Sequence, residues 1–185
     1  MLGTLTTVPA LERPDLLADP VARALRSRAA QESAQVLVAE IDPALADTAA
    51  FCERYAVSVE LSANCVVIAG RRGETTRMAA AVVLATTRAD VNGTVRRRLD
   101  ARRASFAPMD AAVEQTAMEY GGITPFGLPA GWPILIDPAV AATPYVVVGS
   151  GVRRSKLVVP GRLLAALPGA ELTEGLALRE VAPNG

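Results

Sequence analysis

The sequence of 185 residues is 51% hydrophobic, long enough for one domain with a substantial core, and its 19 Lys+Arg balance its 19 Asp+Glu. That balance excludes a global field drawing in nucleic acid or an anionic membrane, and the absence of histidine excludes every catalytic arrangement built on imidazole. Cys52 and Cys65, without Cys-x-x-Cys spacing, argue against a disulfide scaffold or a zinc site, and apolar runs such as Met78–Ala85 are too short to span a bilayer. A soluble, cytoplasmic protein without metal or cofactor is expected.

Residues 1–18, with Gly3, Pro9 and Pro14 and no sustained periodicity, read as a flexible lead-in to a single domain over 19–180, with 181–185 as a tail. Asp19-Pro20 supplies a helix start, and Val21, Leu25 and Ala29 at helical spacing predict a helix through about Gln31. Ala34–Glu40 reads as the first strand. Asp47-Thr48 caps a short helix ending near Tyr55, with Ala49, Ala50 and Phe51 toward the core. The alternation of Val57, Val59 and Leu61 predicts a strand, followed by strands over Cys65–Ala69 and Met78–Ala85, with a hairpin turn at Arg71-Arg72-Gly73-Glu74. Asp90–Arg103 reads as a helix burying Val91, Val95 and Leu99, which gathers Arg96, Arg97 and Arg98 into a basic face. Such a face suits the phosphates of a nucleic acid, and an ordinary solvated surface explains it equally well.

A short strand near Ala104–Ala107 leads through Pro108 into a helix over Met109–Met118. Pro133–Ile136, Tyr145–Gly149 and Lys156–Val159 read as further strands, with a helical turn after Asp137-Pro138 and a final helix from Pro160 to Leu167. Short strands and helices in irregular order, without βαβ alternation, predict an α+β domain on a mixed sheet. Between these elements lies Tyr120-Gly121-Gly122-Ile123-Thr124-Pro125-Phe126-Gly127. Gly121 and Gly122 can adopt positive φ and admit another group close to the main chain, while Pro125 holds Thr124 extended. The segment is either a rigid turn presenting N–H donors or a tight connection between core elements.

Several of these segments together resemble one family. Asp47-Thr48 opening a helix, Ala63-Asn64-Cys65-Val66-Val67-Ile68 on a strand, Ala107 before the Met109 helix, Gly121–Gly127, the strand ending in Asp137, and Val148-Gly149-Ser150-Gly151 followed by Leu157–Leu164 are similar to the YbaK/ProX-type aminoacyl-tRNA deacylases, which include the editing domain of bacterial prolyl-tRNA synthetases. The resemblance spans about Asp47 to Leu176. It implies a mixed β-sheet curled into a partial barrel with flanking helices, and a pocket for the aminoacylated 3′ end of a mischarged tRNA. An aminoacyl-tRNA synthetase is a further implied partner; a membrane or a metal is not. One position departs: where the family carries a strand lysine, this chain has Asn64. An amide donates hydrogen bonds without charge, a difference of about 1–3 kcal/mol.

What the resemblance implies for chemistry is hydrolysis of an aminoacyl ester. The backbone of Gly121, Gly122 and Thr124 would form the oxyanion site, Asn64 would position the ribose or carbonyl, and a free ribose hydroxyl of the substrate would orient the water. Pro125, Phe126, Gly149 and Ser150 would line the pocket, and Asp137 would either bind the substrate ammonium or cap the turn at Pro138. Phe126 and Trp132 would stack on a base or anchor their loops. Cys65, a strand neighbour of Asn64, is expected to face away into the core as an inert thiol. Three functions stay open: a trans-editing hydrolase clearing a small mischarged amino acid, a catalytically altered module binding a tRNA end, nucleotide or partner protein, and a pocket for an unrelated small molecule.

Overall fold

The computed structural model describes residues 2–179. In chain order the elements are β1 (Val8–Pro9), α1 (Asp19–Arg26), α2 (Ala30–Ser33), β2 (Leu37–Glu40), α3 (Thr48–Tyr55), β3 (Ala63–Arg72), β4 (Thr75–Leu84), β5 (Thr87–Ala89), α4 (Arg96–Arg98), β6 (Arg103–Phe106), α5 (Met109–Thr116), β7 (Ile134–Ile136), α6 (Pro138–Ala142), β8 (Val146–Gly149), β9 (Ser155–Val159), α7 (Gly161–Ala165), β10 (Ala170–Leu172) and β11 (Ala177–Arg179). They build a four-stranded sheet ordered β1-β2-β9-β8, a mixed five-stranded sheet ordered β10-β7-β4-β3-β6, and a small β11-β5 pair. A parallel bridge from Ser62 to Val147 joins the two larger sheets at one seam, giving an open partial barrel.

Strand β4 shows why the sequence selects this layering. Ala80 and Val82 face the main core with Val21, Leu25, Val148 and Leu157, while Ala79, Ala81 and Val83 face a second cluster with Leu99, Leu135 and Leu176. Side chains alternate along a strand, so a run that is apolar at every position belongs between two buried layers. A third cluster, Ile41, Ala46, Phe51, Val57, Val147 and Val158, holds α3 on the four-stranded sheet. No helix among the described residues is long and apolar enough to cross a membrane.

Four segments differ from the sequence expectation. The lead-in is part of the core: β1 pairs with β2, and Ala10, Leu16, Leu17 and Ala18 are buried. The helix from Asp19 stops at Arg26, and the Ser33 hydroxyl donates to the Leu25 carbonyl at 2.6 Å, folding α2 back on α1. Val59–Leu61 is a 3₁₀ turn with Val59 exposed, since no neighbouring strand takes up its backbone. The Asp90 carboxylate accepts the Gly93 and Thr94 N–H groups, so the chain runs through a five-residue π turn, Val91–Val95, into the single turn of α4 rather than a long helix. The expected tail, 181–185, lies outside the described residues.

Candidate active site

A cavity of about 480 Å³ opens where the two larger sheets meet. Its walls are the loop 46–48 with Phe51 of α3, the first half of β3, the β6–α5 junction, Tyr120, Gly121 and Ile123 of the glycine turn, and Val147, Val148, Gly149, Arg153 and Lys156 from β8, β9 and their connection.

The β3 wall is an unpaired strand edge. β3 pairs with β4 along its length, but β6 covers only Ile68–Arg71, with Ala107 N–H donating to the Val67 carbonyl at 2.9 Å. Backbone groups alternate between the two sides of a strand, so if those of Val67 point to the β6 side, those of Cys65 point to the same side where no strand follows. The cavity therefore meets free main-chain polar groups here. The Asn64 Oδ1 accepts the Thr48 hydroxyl at 2.9 Å, which fixes the amide and leaves its NH₂ as donor. Cys65 packs on the main core, as strand alternation predicts, but it also lines the cavity rather than turning wholly away from it; burial pushes its thiol up to about 12.

The glycine turn is stitched to the β8–β9 connection. Gly122 N–H donates to Glu119, Gly151 N–H to the Gly122 carbonyl at 2.7 Å, and Glu119 N–H to the Gly151 carbonyl at 2.8 Å. The two segments approach so closely that a Cβ on Gly149 would stand 2.3 Å from the Gly122 carbonyl oxygen. Gly121 has φ of 83°, a conformation that side chains other than glycine's disfavour, and it faces the guanidinium of Arg153. Arg153 donates to the Tyr120 carbonyl at 3.3 Å and to the Pro43 carbonyl at 3.0 Å, linking opposite walls.

The expected site residues separate into two groups. Asn64, Gly121 and Gly149 line the cavity, joined by Ile123. Gly122 and Thr124 do not: the Gly122 N–H is already engaged by Glu119, and Thr124 is fully buried with its hydroxyl unpartnered. Pro125 and Phe126 are buried, Phe126 within the main core. Ser150 is also fully buried, its hydroxyl 2.7 Å from that of Ser155. The Asp137 carboxylate accepts the N–H groups of Ala139 at 2.9 Å and Ala177 at 3.2 Å, capping α6 and receiving β11 away from the cavity. Arg98 pairs with Glu171 and, with Trp132, borders a separate open groove; Arg96 and Arg97 bond within their own turn, to the Asn92 carbonyl and Thr94 hydroxyl.

Two features of the cavity were not expected from the sequence. Phe106, Met109 and Tyr120, each more than half exposed, stand among its lining residues, replacing Phe126 and Trp132 as the aromatic surface near the site. Lys156, the only lysine of the chain, reaches in from β9: its Nζ donates to the Ala46 carbonyl at 2.8 Å and lies 5.4 Å from the centre of the Phe51 ring. Burial holds its ammonium down to about 8, against a smaller opposing pull from Asp47. The signal available in the sequence was a lone lysine at the start of an otherwise largely apolar strand. Among the described residues no three His, Cys, Asp or Glu side chains converge as metal ligands.

Residues 42–167, which supply nearly all of these walls, match the sequence profile of the aminoacyl-tRNA editing domain. No curated protein matches the chain. Among solved structures it is similar to a candidate trans-editing enzyme for prolyl-tRNA synthetase, with 22% identity over 85% of this chain and 97% of that one and a TM-score of 0.69. It is also similar to the hypothetical protein APE2540, with 17% identity over 84% of this chain and all of that one and a TM-score of 0.69. A scaffold used for epitope backbone grafting aligns with 20% identity, 84% and 96% coverage and a TM-score of 0.68. These likenesses show a shared fold, and the profile match over most of the cavity-forming sequence shows that the chain belongs to the aminoacyl-tRNA editing domain family.

Proposed function

We propose that this protein is a trans-editing hydrolase that removes a small, wrongly attached amino acid from the 3′ end of a tRNA. The observation that supports it most directly is the cavity itself, which combines main-chain donors, a fixed amide and exposed aromatic surface. An aminoacyl ester is activated enough to need only positioning and charge stabilisation. Water attacks the ester carbonyl carbon, the bond from that carbon to the ribose oxygen breaks, and the proton from water passes to the departing ribose oxygen, releasing the free amino acid and the tRNA hydroxyl. The neighbouring ribose hydroxyl of the substrate orients the water.

In this reading the N–H groups of Gly121 and Ile123 and the open edge at Cys65 surround the carbonyl oxygen, where one such donor contributes about 3–4 kcal/mol to the transition state. The Asn64 NH₂ holds the ribose or the carbonyl, and Phe106 and Tyr120 stack on the terminal base. A synthetase that produces the mischarged tRNA is the natural partner. The test is deacylation of a panel of mischarged tRNAs by the purified protein, with Gly121→Ala and Asn64→Lys alongside. Wild-type turnover that Gly121→Ala abolishes without unfolding is the expected result. No turnover by wild type, combined with turnover gained by Asn64→Lys, refutes the hydrolase and leaves a binding module with a disabled pocket.

A further inference from the structure

Lys156 carries a charge that no carboxylate among the described residues meets at ion-pair distance. Its side chain is 7% exposed, and its near partners, the Ala46 carbonyl and the Phe51 ring, are both neutral. None of the ion pairs among the described residues includes it. The charged and titratable groups felt at the ammonium are Asp47, whose carboxylate caps α3 by accepting the Ala49 N–H at 3.0 Å, the Cys52 thiol, and Arg153, which repels it. Asp47 lines the cavity beside the uncharged Ala46, Phe51, Ser62 and Val147 and is the one carboxylate among its lining residues. Removing an ammonium from water with no carboxylate in direct contact is unfavourable, and a bound anion is what would offset it.

The position of Lys156 says which part of a ligand would meet it. Gly149 is its cross-strand partner on β8, and Gly149 packs directly on the glycine turn. Asn64 and Lys156 both grip the loop 46–48, one through the Thr48 hydroxyl and the other through the Ala46 carbonyl. A ligand whose carbonyl lies between the glycine turn and Asn64 thus has the ammonium beyond Gly149, beneath α3, while the exposed aromatic residues Phe106 and Tyr120 remain at the other wall for the base.

We infer that Lys156 is a specificity-determining residue that receives a side-chain carboxylate, so that the cavity takes an aspartyl or glutamyl group in preference to a neutral one of similar size. This rests on the aminoacyl-ester reading above and narrows its substrate class. The terminal phosphate is the other anion that such a ligand carries, but a charge this deeply buried suits the group that enters the cavity.

Because the chain has a single lysine, ε-¹³C-lysine labelling gives one side-chain resonance, read in the intact wild-type protein. Non-hydrolysable 3′-amide analogues of aspartyl-, glutamyl- and alanyl-adenosine are titrated, together with adenosine 5′-monophosphate. The resonance is expected to move with the acidic analogues and not with the alanyl one; an equal response to alanyl, or a response to the monophosphate alone, overturns the assignment. In parallel, deacylation of the three aminoacyl-tRNAs gives the acidic-to-alanyl ratio of kcat/KM, expected to fall about tenfold or more in Lys156→Met. An unchanged ratio in a folded variant also overturns it. Selective movement of the resonance without hydrolysis of any ester leaves the subsite standing and removes the hydrolase; hydrolysis without selective movement does the reverse.

Discussion

Gly149→Ala is the most discriminating single change, because the structure fixes what the added methyl meets. The new Cβ would stand 2.3 Å from the Gly122 carbonyl oxygen and 2.7 Å from that of Ile123, both backbone atoms with no rotamer to yield. Ordinary contact begins at 3.4 Å, so one wall must retreat from the other by about 1 Å. Overpacking of this kind costs about 1–3 kcal/mol of stability. A 1 Å misplacement of a positioning element lowers turnover by roughly 10²-fold, equivalent to about 2.7 kcal/mol of lost transition-state stabilisation. The assay is kcat/KM for deacylation beside a urea titration, with Gly73→Ala as reference. Gly73 has the positive φ that Gly149 lacks and nothing within 4 Å of its would-be Cβ, so its variant carries a backbone cost of about 1 kcal/mol without a clash and, remote from the cavity, keeps full turnover. If Gly149→Ala stays within twofold of wild type in turnover and matches it in stability, the glycine turn does not position the reaction.

Four further outcomes follow from the same geometry. Since the Lys156 ammonium titrates near 8 in the native state against an ordinary 10.5, the unfolded chain binds more protons between these values, and stability should rise with pH across that window by up to about 3 kcal/mol. Urea midpoints at pH 7.5 and 10.5 should show that rise in wild type relative to Lys156→Met, and a constant difference between them would contradict it. In a Cys52→Ser background the Cys65 thiol, pushed up to about 12, should react only slowly with iodoacetamide at pH 8 until the protein is unfolded; rapid native alkylation would contradict that raised value. Removing the ring in Phe106→Ala or Tyr120→Ala should weaken binding of a 3′-aminoacylamino-adenosine by about 1–3 kcal/mol each, measured by calorimetry, with unchanged affinity refuting the stacking role. Asp137→Ala should lose about 1–2 kcal/mol of stability, because it frees two backbone N–H groups, while deacylation per folded molecule is retained; selective loss of turnover would return Asp137 to the substrate.

The sequence made the glycine turn and Asn64 legible because both announce backbone or chemical singularities: three glycines and a proline in eight residues, and an amide inside an apolar strand. The same logic failed where function depends on which of two similar residues the fold exposes. Phe126 and Phe106 look alike in the sequence, yet the first is fully buried in the main core and the second stands 62% exposed at the cavity. Ser150, read as a pocket wall beside Gly149, turns inward to the Ser155 hydroxyl because consecutive residues leaving a strand point to opposite sides. Lys156 escaped notice because a lysine at the start of a strand ordinarily points to solvent, and only the third core cluster, with α3 laid over β8 and β9, closes water off from it. The three-residue strands β5, β10 and β11 carry too few side chains to show a period, and their pairing is decided by the strands already in place.

The guanidinium of Arg153 ties the Tyr120 carbonyl to that of Pro43, and β2 pairs with β9 across more than a hundred residues of chain. The site thus has no local precursor. Its walls are drawn from residues 46–67, 106–123 and 147–156, so a nascent chain that has emerged as far as α6 holds the Asn64 edge and the glycine turn but nothing to close them against. Non-local contacts of this kind are the last to form. The cavity is therefore a property of the completed topology, and circular permutants or split halves of this domain should regain it only when β9 is restored to its place between β2 and β8.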